Sequence, residues 1–149
     1  MPNRLIVYHC SARRLLDDGM VPPGGLGVRV RLGAPGDRLA RGRLLLQERA
    51  FERVRRREFA AKPSRLRATF SFLTIDAAMC WRERAGGAGH IYECLLEASN
   101  QRLHLAPVVG APASDRRLRE CRARHYWQGL ESERGGTPEP AAELISAEP

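Results

Sequence analysis

Histidine and cysteine are the residues of this chain whose chemistry depends most on their spacing. The four cysteines lie far apart, at Cys10, Cys80, Cys94 and Cys121. The four histidines are scattered in the same way, at His9, His90, His104 and His125. Neither set has the spacing of zinc ligands, and no Cys-x-x-Cys pair occurs. We therefore expect no metal site and four reduced, mostly buried thiols, and nothing local supports a cysteine–histidine nucleophile pair.

Arginine dominates the charge of the chain. The sequence has 24 arginines, one lysine and 17 acidic residues, which gives a net charge of +8. The segment from Glu131 onward is acidic, so residues 1–130 alone carry +12. A basic body favours binding to nucleic acid or another polyanion, because arginine makes bidentate contacts with phosphate. The alternative is a GC-rich genome, whose codons favour arginine over lysine whatever the function.

Length and composition predict one domain over residues 1–149. The chain has 149 residues and is 43% apolar, which is enough for a real core and too apolar for a disordered protein. No apolar run approaches the roughly 18 residues that span a bilayer. The first residues become charged too early for a signal peptide. We expect a soluble, cytoplasmic protein without membrane contact, although delivery to another cell as an effector stays open.

The elements that would position functional side chains alternate between short strands and helices. Helices are predicted over 11–18, over 37–59, from Thr74 or Asp76 to the glycines at 86–87, and over 114–127. Strands are predicted over 4–10, 66–73, 90–97 and 143–146, with 102–109 as a hairpin partner of 90–97. Residues 131–142 form a loose acidic linker before the last strand. The pattern predicts an α+β domain.

The long helix over 37–59 has two contrasting faces. One face is an apolar stripe that includes Phe51 and Val54, and the other carries arginines. Arg53, Arg56 and Arg57 are the candidates for binding the phosphates of RNA or DNA. The alternative is that these arginines form an ordinary solvated face.

Several short segments, in order along the chain, resemble the ADP-ribosyltransferase fold. Tyr8–Ser11 (YHCS), with Gly19–Pro22 after it, resembles the opening histidine strand of that family. Ala68–Thr74 and Asp76–Trp81 resemble its central aromatic strand and the helix that follows. Glu143–Ser146 (ELIS) is similar to its late glutamate strand, which toxin-like members that modify nucleic acid also carry. The resemblance covers most of the chain and is closest to a group of short bacterial proteins of unassigned function.

The resemblance implies a split, mixed or antiparallel sheet with flanking helices, and a site for NAD as co-substrate. His9 and Glu143 would be the catalytic residues and would converge on one cleft, with His9 donating to a ribose hydroxyl. Glu143 would stabilise the oxocarbenium-like carbon that forms when the bond between nicotinamide and ribose breaks. The remaining residues implied to bind NAD are Cys10, Arg13 and Arg65, the last two at the pyrophosphate, and Phe72 and Trp81 around the nicotinamide.

Other interpretations of these residues remain open. Phe72 and Trp81 would also suit a plain core, and a histidine at a strand end is often structural. Glu143 lies near the end of the sequence, where fraying is an alternative, and Glu93 and Glu97 would then be the substitute carboxylates. Tyr126 and the following tryptophan would either stack on a base or anchor their helix to the core.

Three functions compete at this point. The first is an NAD-dependent glycosyltransferase that places ADP-ribose on a macromolecule, with nucleic acid as an acceptor that suits the basic body. The second is a non-catalytic nucleic-acid-binding module. The third is an ADP-ribosyltransferase fold without activity that binds a partner, since the central tyrosine usual in the family is absent.

Overall fold

The computed structural model describes residues 3–16, 19–27, 38–129 and 142–147. In chain order the elements are β1 (Arg4–Ser11), α1 (Arg38–Glu58), β2 (Thr69–Ser71), α2 (Ile75–Arg84), β3 (His90–Glu97), a 3-10 turn (Ala98–Asn100), β4 (Arg102–Pro107), α3 (Arg116–Gln128) and β5 (Ala142–Ala147). The predicted α+β class is confirmed.

The described strands form two antiparallel sheets. In one sheet β1 pairs with β3, from Arg4 opposite Glu97 to Ser11 opposite His90. In the other, β5 lies between β2 and β4. The predicted last strand therefore occupies the centre of a sheet and is not a frayed end, because both of its edges are hydrogen-bonded to neighbours.

Side chains define where the helices begin. Thr74 accepts a hydrogen bond from the backbone N–H of Ala77 at 3.2 Å and starts α2, as predicted. Asp115 accepts from the first turn of α3, one residue after the predicted start. Gly129 ends α3 with a φ of 73°, and a Cβ there would lie 2.9 Å from the carbonyl oxygen of Leu105.

The main core joins the β2–β5–β4 sheet to α1 and α3. Phe51 and Trp127 are almost completely buried in it, and the indole N–H of Trp127 donates to the carbonyl of Phe51 at 2.9 Å. A smaller core lies between α2 and the first sheet, around Phe72 and Ala78. Tyr126 and Trp127 thus anchor α3 to the core and are not an exposed stacking platform.

Two predicted elements are shortened or absent. Residues 12–16 are not helical, because Ser11 extends β1 and the backbone N–H of Leu15 donates to the Tyr92 hydroxyl at 2.8 Å. The predicted strand over 66–73 is reduced to Thr69–Ser71. Its first part is a turn, in which the N–H of Ala68 donates to the carbonyl of Ser64 at 2.9 Å.

The predicted hairpin between β3 and β4 is wrong. After β3 the 3-10 turn redirects the chain, and β4 pairs with β5 from Arg102 opposite Ala147 to Pro107 opposite Ala142. The predicted linker ends one residue early, since Ala142 begins β5. The rest of that linker, residues 131–141, lies outside the described residues. None of the described helices combines the length and apolarity needed to cross a bilayer.

Candidate functional site

The two sheets meet at one point, where β1 approaches β2. The backbones of Tyr8 and Phe72 exchange two hydrogen bonds of 2.8 Å, and this isolated bridge is the backbone pairing that the described residues make between the sheets. Beyond it, towards Cys10 and Phe70, the described residues show no further backbone hydrogen bond between β1 and β2. We call this unpaired stretch beside His9 and Cys10 the opening.

His9 lies at this opening and is half-buried in β1. Its ring Nδ1 is 2.8 Å from the carbonyl oxygen of Phe70. A carbonyl can only accept, so Nδ1 carries the proton, and Nε2 of the neutral ring is an acceptor. The prediction made His9 the donor to a ribose hydroxyl. In the neutral ring Nε2 would instead accept a hydrogen bond from such a hydroxyl. The imidazole N–H thus takes the place of a backbone N–H of β1 as the donor to the Phe70 carbonyl.

Cys10 directs its backbone into the same opening. Tyr8 uses both of its backbone groups on Phe72, and residues two apart in a strand direct these groups to the same side. The N–H and carbonyl of Cys10 therefore face the gap, and within the described ranges neither meets a backbone partner there. The thiol is turned elsewhere, 3.5 Å from the carbonyl oxygen of Ala78 in α2.

Arg82 is a candidate that the sequence patterns did not reveal. Burial raises the pKa of the Cys10 thiol, and the Arg82 guanidinium acts on it in the opposite direction. Arg82 lies one turn after Ala78 on α2, on the side of the helix that the thiol contacts. The Nε atom of Arg82 is buried and has no hydrogen-bond partner among the described residues. A buried N–H without an acceptor is costly, so this donor suits an anionic or carbonyl oxygen of a ligand. The sequence does not predict that this Nε is buried, because an arginine in the last turn of a helix is usually exposed to solvent.

Glu143 lies on the central strand β5 and is buried. Its Oε1 accepts from the Tyr126 hydroxyl at 2.7 Å and from Nη1 of Arg65 at 2.5 Å. Burial raises the pKa of Tyr126 well above its usual value, so the phenol stays protonated and donates. Two donors therefore fix this carboxylate in one orientation through one of its oxygens.

Arg65 connects Glu143 to a second buried carboxylate. Its Nε donates to Oε2 of Glu48 at 3.0 Å, and its guanidinium carbon lies 4.7 Å from the centre of the Tyr126 ring. Burial works to lower the pKa of Arg65, but the Tyr126 oxygen and the carboxylates of Glu143 and Glu48 hold it well above its usual value. The cluster of Arg65, Glu48, Glu143 and Tyr126, here called the buried arginine cluster, holds one cation against two carboxylates.

The structure does not support Arg65 as a pyrophosphate ligand. The side chain is only 7% exposed and its donors are already used on Glu48 and Glu143. Arg13, the other predicted pyrophosphate ligand, is exposed and remains accessible.

The register separates His9 from Glu143. Phe70 pairs with Ile145, so alternation puts Phe72 and Glu143 on one face of the sheet, and the Tyr8–Phe72 bridge puts Tyr8 on that face as well. His9, next to Tyr8, points to the opposite face. The side chains of His9 and Glu143 thus lie on opposite faces of the sheet. Their predicted convergence on one cleft therefore requires a ligand that lies in the opening of the sheet itself.

The predicted aromatic sandwich is also absent. Phe72 is buried, and its ring packs on Trp81 with centroids 6.0 Å apart and planes tilted by 42°. A nicotinamide ring between them would need parallel planes about 7 Å apart, twice the usual carbon–carbon contact. Phe72 therefore belongs to the core, whereas Trp81 is half-buried and keeps part of its surface accessible.

The basic surface of the chain is concentrated on two helices that pack together. α1 carries eight arginines and three glutamates, and α3 carries five and one. Of the predicted phosphate ligands, Arg53 bonds Glu120 at 3.2 Å and Arg56 bonds Glu52 at 2.9 Å, both at the surface. Arg57 forms no ion pair with any described residue. We call the exposed arginines of α1 and α3 the arginine surface.

Glu52 shows how local ion pairs support this surface. Burial works to raise the pKa of Glu52, but hydrogen bonds from Arg55, Arg56 and Ser64 outweigh that effect and lower it. The Ser64 hydroxyl donates to Glu52 at 2.9 Å. Glu52 thereby links α1 to the turn that carries Arg65 into the core.

The remaining cysteines and histidines are distributed over several helices and strands. All four cysteines are unpaired, three are half-buried and Cys121 is exposed, so the thiols are less buried than predicted. Within the described ranges no three histidine, cysteine or acidic side chains come together as metal ligands. The substitute carboxylates Glu93 and Glu97 are exposed on β3.

Residues 39–140 match the model of a family described as "Protein of unknown function (DUF2441)". The chain belongs to this DUF2441 family. The match begins within α1 and ends before β5, so it includes Arg65 and Arg82, while His9 and Glu143 of this DUF2441 protein lie outside it. A search among curated proteins finds no match.

Proposed function

We propose that the chain binds NAD in the opening between β1 and β2 and transfers ADP-ribose to a macromolecular acceptor. The observation that carries the proposal is the unpaired backbone of Cys10 beside the opening. One residue offers an N–H donor and a carbonyl acceptor side by side, which matches the acceptor and donor of a primary carboxamide such as that of nicotinamide. The resemblance to ADP-ribosyltransferases supports the same ligand.

Strands β1 and β5 and helix α2 supply the other groups. The Nε2 atom of His9 accepts from a ribose hydroxyl at the edge of the opening, and the accessible part of Trp81 lies on the adjoining helix. Arg82 supplies an N–H for the pyrophosphate. Glu143, held through Oε1, acts through its other oxygen on a ligand that enters the opening.

The reaction needs no further reactant than the acceptor. The bond between C1′ of the ribose and the nicotinamide nitrogen breaks, and its electron pair leaves with nicotinamide. The carboxylate of Glu143 stabilises the positive charge that develops at C1′. A nucleophilic atom of the acceptor then bonds to C1′ and releases its proton to solvent.

Arg82→Met tests the NAD site. Loss of a hydrogen bond to a charged phosphate is worth roughly 1.5–3 kcal/mol, so the Kd for NAD should rise about tenfold or more. Calorimetric titration of the purified protein with NAD measures this. The matched control is Arg84→Met, an exposed arginine of the same helix, which should leave the Kd unchanged. Equal affinities for Arg82→Met and wild type would remove Arg82 from the site, and no binding or nicotinamide release by wild type would end the proposal.

A second candidate function is the binding of nucleic acid by the arginine surface. The observation that favours it is the excess of arginine over glutamate on α1 and α3, which the ion pairs do not neutralise. Arg49, Arg53 and Arg57 follow one another along the exposed side of α1, four residues apart. Such a stripe can contact consecutive phosphates, and it would also serve the first function if the acceptor is RNA or DNA.

The salt dependence of binding tests the second candidate. Replacing Arg49, Arg53 and Arg57 by glutamine should lower affinity for RNA or DNA and flatten the plot of log K against log salt by about 0.7–0.9 per lost phosphate contact. Fluorescence anisotropy at several salt concentrations gives the slope. An unchanged slope would leave these arginines as a solvated face.

A further inference from the structure

A cavity of about 560 Å³ lies between α3 and the segment that follows β4. Phe51 and Tyr126 form its inner wall, Val108 and Val109 form one side, and the exposed residues of α3 form the other. This volume lies in the range that holds a drug-sized ligand or a nucleoside. The cavity is separate from the residues that we place at the NAD opening.

The inner wall is held in place by contacts already described. The rings of Phe51 and Tyr126 pack edge to face with centroids 5.3 Å apart, and the Tyr126 hydroxyl is fixed on Glu143. Because these contacts are made within the protein, the apolar wall is preorganised for a flat ring.

The entrance of the cavity is polar and basic. His125 and Arg122 stand there on α3, and both are exposed. Nη1 of Arg122 donates to the carbonyl of Ala111 at 2.9 Å, which fixes the guanidinium beside the cavity. The arginine surface continues from this point along α3 and onto α1. An apolar interior with a cationic entrance suits a ring that carries negative charge outside the cavity.

We infer that this cavity takes one unstacked base of a single-stranded nucleic acid whose phosphates lie along the arginine surface. The inference rests on the second candidate function, the binding of nucleic acid. A base fits because the apolar interior takes its flat ring and the exposed imidazole of His125 can stack on it. A duplex keeps its bases stacked inside and can use the arginine surface alone.

Cys121→Phe tests the inference, because a phenyl ring at this exposed cavity residue would occupy the space of the base without changing charge. We expect affinity for a short labelled single strand to fall about tenfold, as for the loss of one stacked base, while affinity for the duplex of the same sequence stays unchanged. Leu118→Phe is the matched control: it is 45% exposed, one turn earlier on α3, and does not line the cavity. Its affinities should equal those of wild type.

A single abasic position moved along the strand provides a second readout. At one position in the strand, the missing base should weaken binding of the oligonucleotide to the wild-type protein. At the same position it should not change binding to Cys121→Phe. If Cys121→Phe also weakens duplex binding, His125→Ala is the second variant, since it removes an exposed ring without filling the cavity. It should lower affinity for the single strand and leave affinity for the duplex unchanged. Equal single-strand affinities for wild type and both variants would overturn the cavity site and leave the arginine surface standing. No binding of either oligonucleotide by wild type at low salt would overturn both.

Discussion

Replacing Arg65 with methionine is expected to lower the free energy of unfolding by about 4 kcal/mol. The substitution leaves the carboxylates of Glu48 and Glu143 buried without a cation, and removing one partner of a buried ion pair typically costs roughly 3–5 kcal/mol. The same change empties the space over the rings of Phe51 and Tyr126. Urea unfolding followed by tryptophan fluorescence measures the effect.

The control and the rescue separate charge from packing. Arg67→Met changes an exposed arginine two residues away and should alter stability by less than about 0.5 kcal/mol. Adding Glu48→Gln and Glu143→Gln to Arg65→Met should restore part of the loss, because no uncompensated charge remains. A loss below 1 kcal/mol for Arg65→Met would contradict the role of the buried arginine cluster.

Glu143→Gln is expected to lower the rate of nicotinamide release by about 100-fold or more, which corresponds to roughly 2.7 kcal/mol of lost stabilisation in the transition state. The Kd for NAD should change little, because the charge of Glu143 acts only as positive charge develops at C1′. Rates measured by chromatography of released nicotinamide, with the Kd from calorimetry, separate these effects.

Stability distinguishes this result from unfolding. The buried arginine cluster holds two carboxylates and one cation, so glutamine at position 143 removes the excess negative charge and its oxygen still accepts from Arg65 and Tyr126. We expect a change in the free energy of unfolding of no more than about 1.5 kcal/mol. Full activity of Glu143→Gln, with loss of activity in Glu93→Gln or Glu97→Gln, would move the catalytic carboxylate to β3.

The sequence alone determined the elements whose signal is local. Apolar periodicity predicted α1 and α3 to within one or two residues at the ends that the structure describes, and Thr74 marked the start of α2. Alternation predicted β3 over His90–Glu97 with its correct bounds. Each of these patterns is complete within a few turns of chain, so no distant contact is needed to establish it.

Tertiary structure decided the partners and therefore the site. β4 follows β3 in the chain, yet it pairs with β5, because strand pairing depends on contacts that close only when the whole sheet forms. The pairing of β5 with β2 puts Glu143 on the face opposite His9, and Glu143 there bonds Arg65, a charged residue that the sequence did not indicate as buried. The unpartnered Nε of Arg82 on α2 and the free backbone of Cys10 in β1 depend in the same way on how the helix and the strands pack. Residue spacing does not reveal such groups, because their positions depend on packing between segments that are far apart in the sequence.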